Sequence, residues 1–187
     1  MKPSVVVVGT SAGGLRALER IFGSLPAEFP VPIACVQHRS KDSELFASVM
    51  QGMVALPVRE AEDKELFLAP GVYLAPPDYH LLVEPGGRLA LSTDEPVSFS
   101  RPSIDVLFES AADSYGAGVV GVLLTGANHD GTRGLIRIRA AGGIAIVQDP
   151  TTAESPEMPS AAIAIGAADT VVPLDAIAGE LVRRSMS

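Results

Sequence analysis

The chain has 187 residues, long enough for one domain with a sizeable core. Acidic residues outnumber basic ones by 22 to 14, and the net charge of −8 argues against nucleic acid or anionic membrane as the main partner. A single cysteine, Cys35, rules out a disulfide framework or a multi-cysteine metal site, and no apolar run approaches the ~20 residues of a membrane span.

The first predicted element is Val5-Val6-Val7-Val8, a β-branched run with no polar alternation, which reads as a strand covered on both faces and hence as part of a parallel sheet. It breaks at Gly9-Thr10-Ser11-Ala12-Gly13-Gly14. The helix that follows carries Leu15, Leu18, Ile21 and Phe22 at helical spacing, so Ser11 stands at a strand-to-helix corner. The order of the glycines fails the dinucleotide fingerprint, and no Gly-Lys-Ser/Thr completes a phosphate-binding loop. By contrast, Gly9-Thr10-Ser11-Ala12-Gly13 satisfies the G-x-S-x-G pattern of a nucleophile elbow. Taken alone, the stretch favours the simpler reading, a serine that caps the helix.

A second strand over 31–36 ends in Gln37-His38, which sets His38 on the same carboxyl edge of the sheet as Ser11, where open α/β sheets bind ligands. Asp42 or Ser43 is the expected cap of a helix through Leu45, Phe46, Val49, Met50 and Met53, a stripe that reads as core. From 57 to 92, Pro70-Gly71, Pro76-Pro77 and Pro85-Gly86-Gly87 separate short strands, and 81–84 with 88–92 form an antiparallel hairpin attached to the edge of the sheet. Pro102 signals a helix from Ser103 onward. A buried strand over 117–124 runs into the polar loop Thr125-Gly126-Ala127-Asn128-His129-Asp130-Gly131. There follow a helix through Leu135 and Ile138, a strand over 144–148 ending at Asp149, a helix near 159–165, a short strand over 170–172 and a closing helix over 174–184. This alternation predicts a doubly wound α/β fold: a mainly parallel sheet, helices on both faces and the hairpin at one edge.

A nucleophilic serine needs a base, and the base needs a carboxylate to hold its tautomer. Of the three histidines, His38 is favoured because it ends a parallel strand beside Ser11; His80 lies in the proline-rich region with a supporting or surface role, and His129 reads as solvent-facing. Asp130 is the best-placed acid and Asp149 the runner-up, although a cap on the helix after Gly131 explains Asp130 equally well. No H-E-x-x-H, C-x-x-C or D-x-D pattern is present, so neither a metal nor a cofactor is expected. The order Ser11, His38, Asp130 differs from the Ser, acid, His order of α/β-hydrolases, which disfavours that fold.

The chain resembles the catalytic domain of CheB-type protein-glutamate methylesterases of bacterial chemotaxis over nearly all its length. The resemblance rests on Gly9-Thr10-Ser11-Ala12-Gly13-Gly14, Val36-Gln37-His38, Tyr73-Leu74-Ala75-Pro76-Pro77-Asp78-Tyr79-His80, Arg101-Pro102-Ser103-Ile104-Asp105-Val106-Leu107-Phe108 and Leu123 through Gly131, in the family's order. It implies a single catalytic domain over 1–187, with Ser11 as nucleophile, His38 as general base and acid, and Asp130 orienting His38. Ala12, Ala127 and Arg101 become candidates for oxyanion or substrate contacts. It further implies cytoplasmic hydrolysis of glutamate γ-methyl esters on chemoreceptor helices, with release of methanol and deamidation of receptor glutamines. Ala12 replaces the family's usual threonine, and Ala127-Asn128-His129 replaces its usual Met-Gly pattern. The first strand starts close to Met1, so a separate regulatory protein is the expected stand-in for the family's attached receiver domain. An esterase or deamidase acting on another protein, and a non-catalytic binding module, are the alternatives.

Overall fold

The computed structural model describes residues 3–39 and 45–186. In chain order the elements are β1 (Val5–Thr10), α1 (Gly14–Phe22), β2 (Ile33–Gln37), α2 (Phe46–Gln51), β3 (Val58–Glu60), β4 (Val72–Leu74), β5 (His80–Glu84) and β6 (Arg88–Ser92). These are followed by α3 (Ile104–Tyr115), β7 (Val119–Leu123), α4 (Thr132–Ala140), β8 (Ile144–Gln148), α5 (Glu157–Ala164), β9 (Thr170–Val172) and α6 (Leu174–Met186).

Seven strands form one sheet in the order β3-β4-β2-β1-β7-β8-β9, and every neighbouring pair is parallel. The valines of β1 explain its central place. Val5 and Val7 point into a core shared with α3, α4 and α5, while Val6 and Val8 point into a second core shared with α1 and α6. Both faces are dry, as the unbroken apolar run requires. The chain builds outward from β1 through β2 to one side and through β7 to the other. α1 leaves β1 toward one face of the sheet and α4 leaves β7 toward the other, which makes the carboxyl end of this strand pair the switch point at which doubly wound sheets bind ligands.

The hairpin differs from its expected place. Among the strands, β5 and β6 pair only with each other, as a separate two-stranded antiparallel sheet. Its outer edges are already occupied: Val83 N–H donates to Ser110 Oγ at 3.0 Å and Ser114 Oγ donates to Val83 O at 2.8 Å, both from α3. On the other side, Lys64 N–H donates to Leu89 O at 2.9 Å and Phe67 N–H to Gly87 O at 2.7 Å. With those groups satisfied, no edge remains for the large sheet.

α2 also departs from expectation. Of the predicted stripe only Met50 is buried, and Leu45 is 73% exposed. Six residues make less than two turns, too few to lay a full stripe on the sheet. Gln51 anchors the helix instead, its Nε2 donating to Leu56 O and its Oε1 accepting from Val58 N–H. The predicted caps Asp42 and Ser43 lie outside the described residues.

α3 and α4 cross closely because Gly134 has no side chain: a Cβ there would sit 2.4 Å from Phe108 Cβ and 3.3 Å from Asp105 Cα. Gly134→Ala gains up to ~1 kcal/mol of helix propensity but forces an overpacking cost of roughly 1–3 kcal/mol. The expected result is a net loss of up to about 2 kcal/mol, read as a lower denaturant midpoint at unchanged slope.

Candidate active site

Ser11 follows β1 directly. Its N–H donates to Thr125 O at 2.9 Å, and Thr10 Oγ1 donates to the same carbonyl at 3.0 Å, locking the loops after β1 and β7 together. Gly13, at φ 79°, makes the turn into α1 that a side chain would strain. Gly126 leaves room for Ser11, since a Cβ there would lie 3.0 Å from Ser11 Cβ. Gln37 ties the serine loop to β2, its Nε2 donating to Ser11 O at 2.9 Å and to His38 O at 2.7 Å.

The structure brings Ser11, His38 and Asp130 into one line. His38 Nδ1 lies 3.2 Å from Ser11 Oγ, and Nε2 lies 2.8 Å from Asp130 Oδ2. An ionised carboxylate only accepts, so Nε2 carries the proton and the Nδ1 lone pair faces the serine hydroxyl. The ring is used in the opposite sense to the chymotrypsin triad, where the carboxylate meets Nδ1. Either nitrogen of an imidazole can take a proton while the other is held.

Asp130 is fully buried and surrounded by donors. Its carboxylate accepts from Ser103 Oγ at 2.9 Å, Ile104 N–H at 2.7 Å, Asp105 N–H and Gly131 N–H at 3.0 Å, and His38. Burial pushes the carboxyl up, but the bonds from His38, Asp105 and Ile104 together outweigh it and hold the group below the usual carboxylate range. Asp130 thus caps the N-terminus of α3, not α4. Asp105 caps α4, its Oδ1 accepting from Gly134 N–H at 2.8 Å. The two helices exchange caps, and the exchange fixes Asp130. For Asp105, burial dominates and raises the carboxyl, with the Asp130 charge adding to the rise.

The other candidates lie elsewhere. His80 is buried, accepting Ser103 N–H on Nδ1 at 3.1 Å and facing Glu95 O with Nε2 at 3.1 Å. His129 is exposed. Asp149 caps the turn beyond β8, accepting from Thr151 N–H and Oγ1 at 2.8 Å. Arg101 spends its guanidinium on Asp78 at 2.7 Å and on the carbonyls of Thr93 and Asp94 at 2.9 and 3.1 Å, so it holds the wall beside His38. Ala12 and Ala127 are exposed in the loops after β1 and β7, and among the described residues neither N–H has an acceptor. Cys35 is no rival nucleophile, because complete burial pushes its thiol up. No group of His, Cys, Asp and Glu suited to a metal occurs among the described residues.

A cavity of about 570 Å³ opens in front of Ser11 and His38, bordered by Leu15, Arg16, Arg39 and Phe46. A larger one, about 860 Å³, lies between α1 and the loop before α5. It contains no nucleophile and base together, and Arg20 and Asp175 in its wall are paired at 2.6 Å. Sequence reasoning passed over Gln37, Ser103 and Asp105. Ser103 and Asp105 stand in the Ser-Ile-Asp start of α3, where short polar side chains signal caps.

Residues 6–181 match the family model described as CheB methylesterase. A Leptospira interrogans protein, provisionally named a protein-glutamate methylesterase/protein-glutamine glutaminase, is 45% identical over 185 residues, which cover 98% of this chain and 95% of that protein. The protein-glutamate methylesterase FrzG of Myxococcus xanthus is 41% identical over 181 residues, covering 96% of this chain and 54% of its own length, so the chain spans about half of that relative. The crystal structure of the Thermotoga maritima CheB methylesterase catalytic domain superimposes with a TM-score of 0.92 at 34% identity, covering 98% of this chain and 99% of that one.

The two buried aspartates carry opposite linkage. Asp130 is lowered in the folded state, so its stabilisation is full above the unfolded carboxylate value of about 4 and is lost as pH falls through the folded value. Asp130→Asn is expected to cost about 1–3 kcal/mol near neutral pH, the gap closing in acid. Asp105 is raised, so its ionisation opposes folding as pH rises through its folded value. Asp105→Asn keeps an acceptor for Gly134 N–H and is expected to leave stability at pH 7 unchanged or higher. Denaturant titrations between pH 3 and 8 measure both.

Proposed function

The chain belongs to the CheB methylesterase family, and from that premise we propose that it is a serine hydrolase that removes methyl groups from glutamate γ-methyl esters of bacterial chemoreceptors and deamidates their glutamines. The observation that carries this is His38 standing between Ser11 Oγ at 3.2 Å and the buried Asp130 carboxylate at 2.8 Å. Capping α3 accounts for the buried carboxylate by itself, but not for the histidine that it holds against a serine hydroxyl, which is the arrangement a serine hydrolase needs.

In the proposed sequence, Ser11 Oγ gives its proton to His38 Nδ1 as it attacks the ester carbonyl. The N–H groups of Ala12 and Ala127 receive the oxyanion; in subtilisin, loss of one such donor costs ~2.7–4 kcal/mol. Methoxide leaves with the proton from Nδ1, and water then takes the same route to free glutamate. Asp130 holds Nε2–H and offsets the imidazolium charge throughout. Arg101 contributes by fixing the 93–102 segment beside His38 rather than by touching the reacting atoms.

The proposed partners are methylated cytoplasmic helices of chemoreceptors, with a separate regulatory protein and a cytoplasmic location. No helix among the described residues is long and apolar enough to cross a membrane. Residues 1–187 are proposed to act as one catalytic domain.

Ser11→Ala is expected to reduce methanol release from methylated receptor by about 10⁴-fold or more, and Asp130→Asn by about 10³–10⁴-fold with KM little changed. A Ser11→Ala variant that still released methanol at the wild-type rate would sink the proposal.

A further inference from the structure

One more amide stands close to the reacting atoms. Asn128 Oδ1 accepts the N–H of Asp130 at 3.0 Å, which fixes the orientation of the side-chain amide and turns Nδ2 toward His38 Nδ1 at 3.4 Å. That nitrogen also faces Ser11 Oγ at the shorter distance of 3.2 Å. In the resting site a hydroxyl and an amide therefore converge on one lone pair. Once His38 takes the serine proton, Nδ1 becomes a donor and Asn128 Nδ2–H must find another acceptor. The atom that comes next to both is the leaving atom of the substrate, because it collects the proton from Nδ1.

We infer that Asn128 is a specificity-determining residue that donates to the leaving atom and tilts the site toward esters over primary amides. This rests on the serine-hydrolase reading above. In the tetrahedral intermediate of an ester the leaving oxygen has two lone pairs, one for His38 Nδ1–H and one for Asn128 Nδ2–H. The C–O bond breaks, oxygen takes the Nδ1 proton, and methanol departs. In the intermediate of a primary amide the leaving nitrogen has two hydrogens and a single lone pair. That pair must take the Nδ1 proton as the C–N bond breaks and ammonia departs, so Asn128 meets no acceptor there. A site donor matched by one substrate and left unpaired by the other discriminates between them.

The test uses the full chain and two peptides of one sequence, carrying γ-methyl glutamate or glutamine at the same position. Asn128→Ser keeps an acceptor for Asp130 N–H, through a hydroxyl turn, while removing the amide donor; Asn128→Ala removes both. In both variants the ester-to-amide ratio of kcat/KM is expected to fall about tenfold, carried by kcat on the ester. The nitrogen-15 resonance of His38 Nδ1 is expected to move toward that of an unbonded lone pair. An unchanged ratio in Asn128→Ser, or equal losses on both peptides, would overturn the inference and leave Asn128 as a support for Asp130. If the wild-type chain turned over neither peptide, the substrate reading would be what had failed. The nitrogen-15 resonance then decides alone, and an unmoved signal in Asn128→Ala rejects the contact.

Discussion

The buried carboxylate of Asp130 is the constraint on which the rest of the site depends. A charge removed from water must be met by donors, and here α3 supplies two backbone N–H groups and Ser103 a hydroxyl. The helix N-terminus also carries the partial positive charge that an anion prefers. Gly131 N–H and His38 donate the remaining bonds, so the ring is oriented by a group that cannot itself move without uncapping a helix. The exchange of caps between α3 and α4 extends this rigidity into the core. Asp130 is fixed by α3, α4 is fixed by Asp105, and Gly134 lets the two helices approach closely enough for both.

The sheet supplies the second requirement, that three residues far apart in sequence meet. β1, β2 and β7 lie side by side and parallel, so their carboxyl ends share one edge. Each delivers one participant: Ser11 just beyond β1, His38 just beyond β2, Asp130 from the loop after β7. Thr125 O, accepting from both Ser11 N–H and Thr10 Oγ1, holds the loop after β7 against the loop after the central strand β1.

Much of this was legible in the chain. Four valines without polar alternation identify a doubly covered central strand, and polar loops following each of three apolar strands place the candidates on one edge. The capping role of Asp130 was legible only as an alternative to chemistry, and it was assigned to the wrong helix, because a cap can reach across space to a neighbour as easily as along the chain. The structure joins the two roles. α2 was misread because periodicity reports which face a helix could bury, not whether six residues suffice to bury it. The hairpin was placed at the sheet edge because strand patterns do not reveal that serines on α3 take the edge first.

His80 shows how far support for the site extends. Its Nδ1 accepts Ser103 N–H, so its proton must sit on Nε2, directed at Glu95 O. Ser103 in turn donates its hydroxyl to Asp130. A continuous chain of hydrogen bonds therefore runs from the 93–102 segment through His80 and Ser103 to the carboxylate that orients His38. Arg101 ties the same segment to Asp78. The 93–102 segment and the orientation of the His38 ring are consequently set by one polar network. Displacing this segment would disturb the cap of α3 and the position of His38 together, a coupling that a buried histidine provides and an apolar side chain of the same volume would not.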